Sequence, residues 1–228
     1  MKNAKAIKPL DIGIAILALG SLWGFSEVVL NSAIQRAGLP FRAAILTGIG
    51  FGLMAIAVAM FKKPWMLAGI AIVAILCKQL AVPILHVSVM CKANSCLAVL
   101  LEGLTLAGAI AVAGRALHKT SLARAATAAS AALLSAGAFH FLGIRLAPCL
   151  YLLSFNRPGG LLAFLAAEGI PWAVASAMLF PLGYRLGEWL EVNAPQLRAR
   201  QPVTYYVSNA VLIATCWLAS AVAIATGF

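Results

Sequence analysis

A chain of 228 residues that is 63% hydrophobic and only 10% charged falls outside the ordinary soluble domains, in which about a quarter of residues carry charge. Its apolar runs, each roughly 18 to 25 residues long, suffice to cross a hydrocarbon core of about 30 Å as helices and lack the alternation of a membrane barrel. The net charge of +11 would suggest nucleic acid in a soluble protein. Here most Lys and Arg sit in short loops between apolar runs, where they set orientation, so nucleic acid is not an expected partner.

The expected fold is an all-α integral membrane protein, a bundle of six to seven transmembrane helices forming one membrane domain over 1–228. Seven spans are predicted, at 11–31, 43–61, 65–87, 97–114, 122–144, 160–184 and 204–227. The N-terminal MKNAKAIKP resembles a signal-peptide n-region, but no small-residue cleavage site follows the long apolar run after it, so it reads as a retained first helix. Pro64 and the Lys62–Lys63 pair predict a tight turn between spans two and three, and Asn156, Pro158, Gly159 and Gly160 a break before span six. The charged segment 185–202 precedes the additional C-terminal span, and 188–228 reads as a linker plus that helix.

Basic residues are unequally shared between the two sides. Lys2, Lys5, Lys8, Lys62, Lys63, Arg115, Lys119, Arg124, Arg185, Arg198 and Arg200 make eleven on the N-terminal side, against Arg36, Arg42, Lys92, Arg145 and Arg157, five on the other. The positive-inside rule then places the N-terminus in the cytoplasm of a bacterial or archaeal cell, in a multi-pass inner-membrane protein surrounded by lipid.

With that orientation, Glu27, Lys78, Gln79, Glu102, His140 and Glu168 all fall at similar depth on the outer side. A charge inside the bilayer costs at least a few kcal/mol and normally faces the bundle interior or a water-filled cavity. Six polar residues at one level predict a polar chamber opening outward, over a cytoplasmic half that reads as almost pure Ala, Leu, Ile, Val and Gly. The plainer alternative is that Lys78 pairs with one carboxylate to lock helices together. One Lys cannot neutralise three Glu, so either some carboxyls are protonated or a cationic ligand or metal completes the balance. The outer loops 32–42, 88–96 and 145–159 form the lid, with Arg42, His86 and Arg157 near the mouth.

Cys91, Cys96 and Cys149 lie in outer loops, where an oxidising exterior permits a disulfide between any two. Cys77 and Cys216, within spans, read as small buried hydrophobes. A soft metal ion held by Cys91, Cys96 and His86 is a minority reading, because the spacing matches no closed zinc motif. His86 and His140 could bracket a haem, the third reading after a membrane thiol oxidoreductase, but no C-x-x-C pair is present to serve a thiol enzyme. Gly20, Gly24, Gly48 and Gly52 predict close helix packing. Trp23, Trp65, Trp172, Trp189 and Tyr205 include several placed near membrane interfaces, where such rings are favoured without further function.

The stretches LGSLWGFSEVVL (19–30), AGLPFRAAILTGIGFG (37–52) and LAVLLEGLTLAG (97–108) resemble the substrate-binding S components of energy-coupling-factor (ECF) transporters of vitamins and other micronutrients. The resemblance covers about residues 10–187. It implies a six-helix core with the N-terminus inside and one vitamin, vitamin precursor or metal ion held under external loops. It also implies a membrane coupling subunit and two cytoplasmic ATPases as partners. The first span lacks the Ala-x-x-x-Ala motif that the family uses for coupling and has Gly20 and Gly24 nearer the outer side instead, and a seventh span exceeds the family's six. No Walker motif is present, so any ATP hydrolysis belongs to a partner, and a solitary transporter is the alternative. The expected function is capture of a small micronutrient rather than catalysis, with the cofactor unknown.

Overall fold

The computed structural model describes residues 9–227; the side chains of Arg115 and His118 are excepted. Lys2, Lys5 and Lys8, three of the basic residues counted toward the expected orientation, lie outside the described residues. The described chain is all-helical, with no strand. Seven of its helices are long and apolar enough to cross a membrane: α1 (Pro9–Arg36), α2 (Arg42–Phe61), α3 (Met66–Leu85), α4 (Val89–Ala113), α5 (Ser121–Leu146), α6 (Gly160–Arg200) and α7 (Pro202–Ala225).

Local chemistry explains the breaks. Lys62, in the left-handed conformation, ends α2 ahead of Pro64. The ladder of α3 slips at Gln79 and Leu80, because Pro83 has no N–H to donate back to the Gln79 carbonyl. Gly114, at φ +49° and ψ −122°, terminates α4 in a conformation that a side chain would oppose. Thr120 caps α5 by accepting from the Ala123 amide at 3.1 Å. A one-turn helix, Leu150–Leu153, crosses between α5 and α6. The connection enters α6 through Gly159 and Gly160, where a Cβ on Gly160 would stand 1.7 Å from the Phe155 carbonyl oxygen.

Six helices close into a ring, each packing on the next in the order α1, α3, α4, α5, α6, α2, and α2 packs back on α1. The α2–α6 pair is the most intimate. A Cβ on Gly183 would lie 2.0 Å from the Gly52 carbonyl oxygen, so two backbones touch there. On the other side of α1, Gly20 and Gly24 admit Val73 and Cys77 of α3. α7 lies outside the ring against α1, α6 and the end of α3, and is the least buried of the seven helices.

Three features depart from the expected picture. First, α6 continues past 184 through the segment read as a linker and stays helical to Arg200. Second, the half of the bundle expected to be purely apolar carries ion pairs that strap this extension down. Arg198 pairs with Asp11 of α1, Glu191 with Lys62 at 2.8 Å, and Glu188 with Arg124 of α5 at 2.9 Å. Arg124, itself buried, also donates to the Leu117 carbonyl and lies 3.9 Å over the Tyr184 ring. The charges of 188–200 were legible, but their partners lie far away in sequence. Third, Trp23 and Trp172 are buried rather than interfacial, and Trp23 fills the space left by Gly50. Trp65 and Trp189 are exposed.

Candidate functional site

At the end of the bundle formed by the connections 37–41, 86–88 and 147–159, a cavity of about 590 Å³ opens inside the ring. That size suits a small organic molecule. Its charged lining is Glu27, Arg42, Lys78, Glu102 and Glu168, five of the nine residues expected to bind ligand.

Glu27 and Lys78 are joined as a buried ion pair, Nζ to Oε2 at 2.6 Å, across α1 and α3. The pairing predicted for Lys78 therefore falls on Glu27, one turn or so beyond the close contact at Gly24. Glu102 of α4 is 3% exposed. Thr47 of α2 donates to its Oε1 at 3.0 Å, while its buried Oε2 has no hydrogen-bond partner among the described residues. Glu168 of α6 accepts from the Tyr151 hydroxyl at 2.6 Å and from the Trp172 indole at 3.2 Å. Partial burial and this bond to a carboxylate hold the Tyr151 phenol above its usual pKa.

Glu27 and Glu168 share a backbone peculiarity. Glu27 lies in a π turn, Ser26–Leu30, inserted in α1, and Glu168 in a second one, Leu165–Gly169, inserted in α6. A π turn carries one extra residue in a helix and recurs at functional sites. In this chain the two π turns carry carboxylates on two helices of the ring, α1 and α6, that line the same space. No sequence signal marks these turns.

Apolar and neutral residues complete the wall. Phe139, Phe164 and Trp172 form one aromatic side, with ring centroids 6.2 to 6.5 Å apart. Asn31, Asn94 and Ser95 add neutral hydrogen-bonding groups, and the Asn31 Oδ1 is buried without a partner among the described residues. At the mouth, Arg42 donates to Gln35 at 2.6 Å. Beside it Phe41 is 65% exposed and held at φ +56°, a conformation costly for an aromatic residue. Sequence reading passed over Thr47, Phe41, Trp172 and the aromatic wall as site residues, because apolar rings in an apolar chain give no contrast.

The remaining four expected residues are elsewhere. Gln79 reaches the Val89 carbonyl and the Cys96 thiol, each at 3.4 Å, and does not line the cavity. His86 is exposed at the end of α3, in the left-handed conformation. His140 and Arg157 line a second, neighbouring cavity of about 510 Å³. His140 lies 5.5 Å from the Phe164 ring, which stands between the two cavities.

All five cysteines are free, so the disulfide expected among the outer loops does not form. Five residues on a helical path turn the chain by about 500°, placing Cys91 and Cys96 on different faces. Cys91 is exposed, Cys96 is buried against Gln79, and Cys149 accepts from Asn94. Cys91, Cys96 and His86 do not come together, and no group of three or more His, Cys, Asp or Glu that could hold a metal ion occurs among the described residues. Cys77 is a buried group, as read, and meets Ser220 of α7 at 3.3 Å.

No protein-family model matches the chain, and neither a curated protein nor a solved structure matches it.

Proposed function

We propose that this chain is a substrate-binding membrane protein, which captures one small micronutrient in the cavity between Glu27, Lys78, Glu102 and Glu168 for uptake. The observation that carries the reading is Glu102. A carboxylate 3% exposed, with one oxygen held by Thr47 and the other unpartnered on a cavity wall, is placed to accept from a ligand N–H or to meet a cationic centre. The Phe139, Phe164 and Trp172 side offers faces for a planar or cationic ring. A small vitamin or vitamin precursor with a nitrogen-bearing, electron-poor ring fits both demands.

In this reading the cavity opens to the cell exterior and the N-terminus is cytoplasmic, in keeping with the excess of basic residues at the opposite end. The chain would serve as an S-component-like module, supported by the sequence resemblance and by the ring of six helices. A membrane coupling subunit with cytoplasmic ATPases would supply the energy. α7, outside the ring, is the element in which the chain departs from a six-helix plan.

Native mass spectrometry of the detergent-purified chain tests the reading. The expected result is one co-purifying small molecule on the wild type and a loss of about tenfold or more in occupancy in Glu102→Gln, which removes one hydrogen-bonding oxygen from the cavity wall. Undiminished occupancy in Glu102→Gln and in Lys78→Ala would remove the assignment of this cavity. Replacing Cys91, Cys96 and Cys149 together by Ser leaves occupancy unchanged if the cysteines take no part. Its loss would reopen a thiol or metal chemistry.

A further inference from the structure

The second cavity is chemically unlike the first. Its charged and titratable lining is His140, Arg145 and Arg157, with Asn156 beside them, and no carboxylate contributes. Neither guanidinium has a hydrogen-bond or ion-pair partner among the described residues. His140 is only 6% exposed, yet its buried Nδ1 has no partner either. Buried polar groups are normally satisfied, so an imidazole with an unsatisfied nitrogen, on a cavity whose only charged residues are two exposed arginines, marks a place suited to an acceptor-rich ligand. Phe141 and Leu162, 55% and 73% exposed, flank the opening with apolar surface.

We infer that this cavity is an anion site that takes a phosphate group, with Arg145 and Arg157 as its charged donors and His140 as a donor from the buried wall. Guanidinium groups match phosphate oxygens through paired N–H donors, and a carboxylate-free lining leaves that charge uncancelled. The site is separate from the proposed substrate cavity, from which Phe164 divides it. Two sources can supply the phosphate: the headgroup of an acidic lipid, for which the apolar flank offers room for an acyl chain, and free inorganic phosphate.

The test uses the full chain in phosphatidylcholine nanodiscs, with or without a minor fraction of phosphatidylglycerol, and with or without inorganic phosphate. Native mass spectrometry counts retained lipid and phosphate adducts. The variants are Arg145→Gln/Arg157→Gln, Arg157→Gln alone, and Lys92→Gln, which removes one charge at the same end but outside this cavity. Retention of phosphatidylglycerol is expected to fall about tenfold in the double variant and severalfold in Arg157→Gln, an exposed position whose change leaves helicity intact. It is expected to stay at the wild-type level in Lys92→Gln. Adducts of inorganic phosphate in phosphatidylcholine discs, lost in the same variants, would assign the site to the free ion. Equal retention by the wild type and both arginine variants would overturn the inference, as would an equal loss in Lys92→Gln.

Discussion

Lys78 and Glu27 meet at 2.6 Å inside the helix ring, each more than nine-tenths buried, and the Glu27 end of the pair rests on a π turn. Removing one partner strands the other charge away from water. Lys78→Ala is therefore expected to destabilise the protein by about 3 to 5 kcal/mol. The double variant Glu27→Gln/Lys78→Met, which leaves no net charge, should recover most of that loss. Thermal unfolding in detergent provides the measurement, and a single variant as stable as the wild type would show that the pair does not form.

Backbone contact between α2 and α6 makes Gly183 intolerant of a methyl group. Gly183→Ala is expected to cost at least about 1 to 3 kcal/mol, since its Cβ would enter the Gly52 carbonyl and the helices must separate. Gly137→Ala, in α5 with nothing within 4 Å of the added atom, is the control. It should be neutral or raise stability by up to about 1 kcal/mol through helix propensity. Equal unfolding midpoints for the two variants would contradict the described packing.

The Tyr151–Glu168 contact has a signature at alkaline pH. The folded state holds the Tyr151 proton more tightly than the unfolded chain, whose tyrosines titrate near pH 10. Its stabilising contribution is thus fully present below about pH 10 and is lost as pH rises beyond that value toward the higher folded pKa. Phenolate absorbance of the wild type minus that of Tyr151→Phe should start to rise only above the free-tyrosine range. A difference curve centred on the ordinary value would mean that the hydroxyl is not bonded to Glu168.

Cysteine exposure reports both structure and orientation. Cys91 is exposed, whereas Cys77, Cys96 and Cys216 are buried. A membrane-impermeant maleimide should label Cys91 in intact cells, and Cys91→Ser should remove most of the labelling. Labelling that appears only after the cells are broken open would place the substrate cavity on the cytoplasmic side and overturn the proposed direction of uptake.

The positions of the seven spans were readable because hydrophobic length is a strong signal and the interruptions are Pro, Gly and Lys. Glu27, Lys78, Glu102 and Glu168 were readable as a group for a related reason: ionised residues in an oily chain stand out, and depth along a helix follows from counting residues. Direction around the helix axis does not follow from counting where a π turn intervenes or where Pro83 breaks the ladder. Gln79 sits where the α3 ladder slips, and His140, on the regular helix α5, faces a direction set by packing rather than by depth, so both were grouped with a cavity they do not line. The aromatic wall and the Thr47 contact rest on tertiary packing between α2, α4, α5 and α6. The straps on α6 were hidden for a different reason: Lys62 and Arg124 were counted as topology signals at helix ends, and Asp11 carried no signal of its own.

The two π turns make the cavity dependent on chain length as well as on side chains. A π turn spends one more residue than an α turn while leaving the flanking turns nearly in register, so excising one residue from Ser26–Leu30 would restore a regular helix and turn the side chains within that segment, Glu27 among them, by up to about 100°. The carboxylate could survive the excision chemically unchanged and still face a different neighbour. In this protein the address of an acidic group is written in the residue count of its helix, and a single-codon deletion would edit the cavity without changing the chemistry of any side chain that lines it.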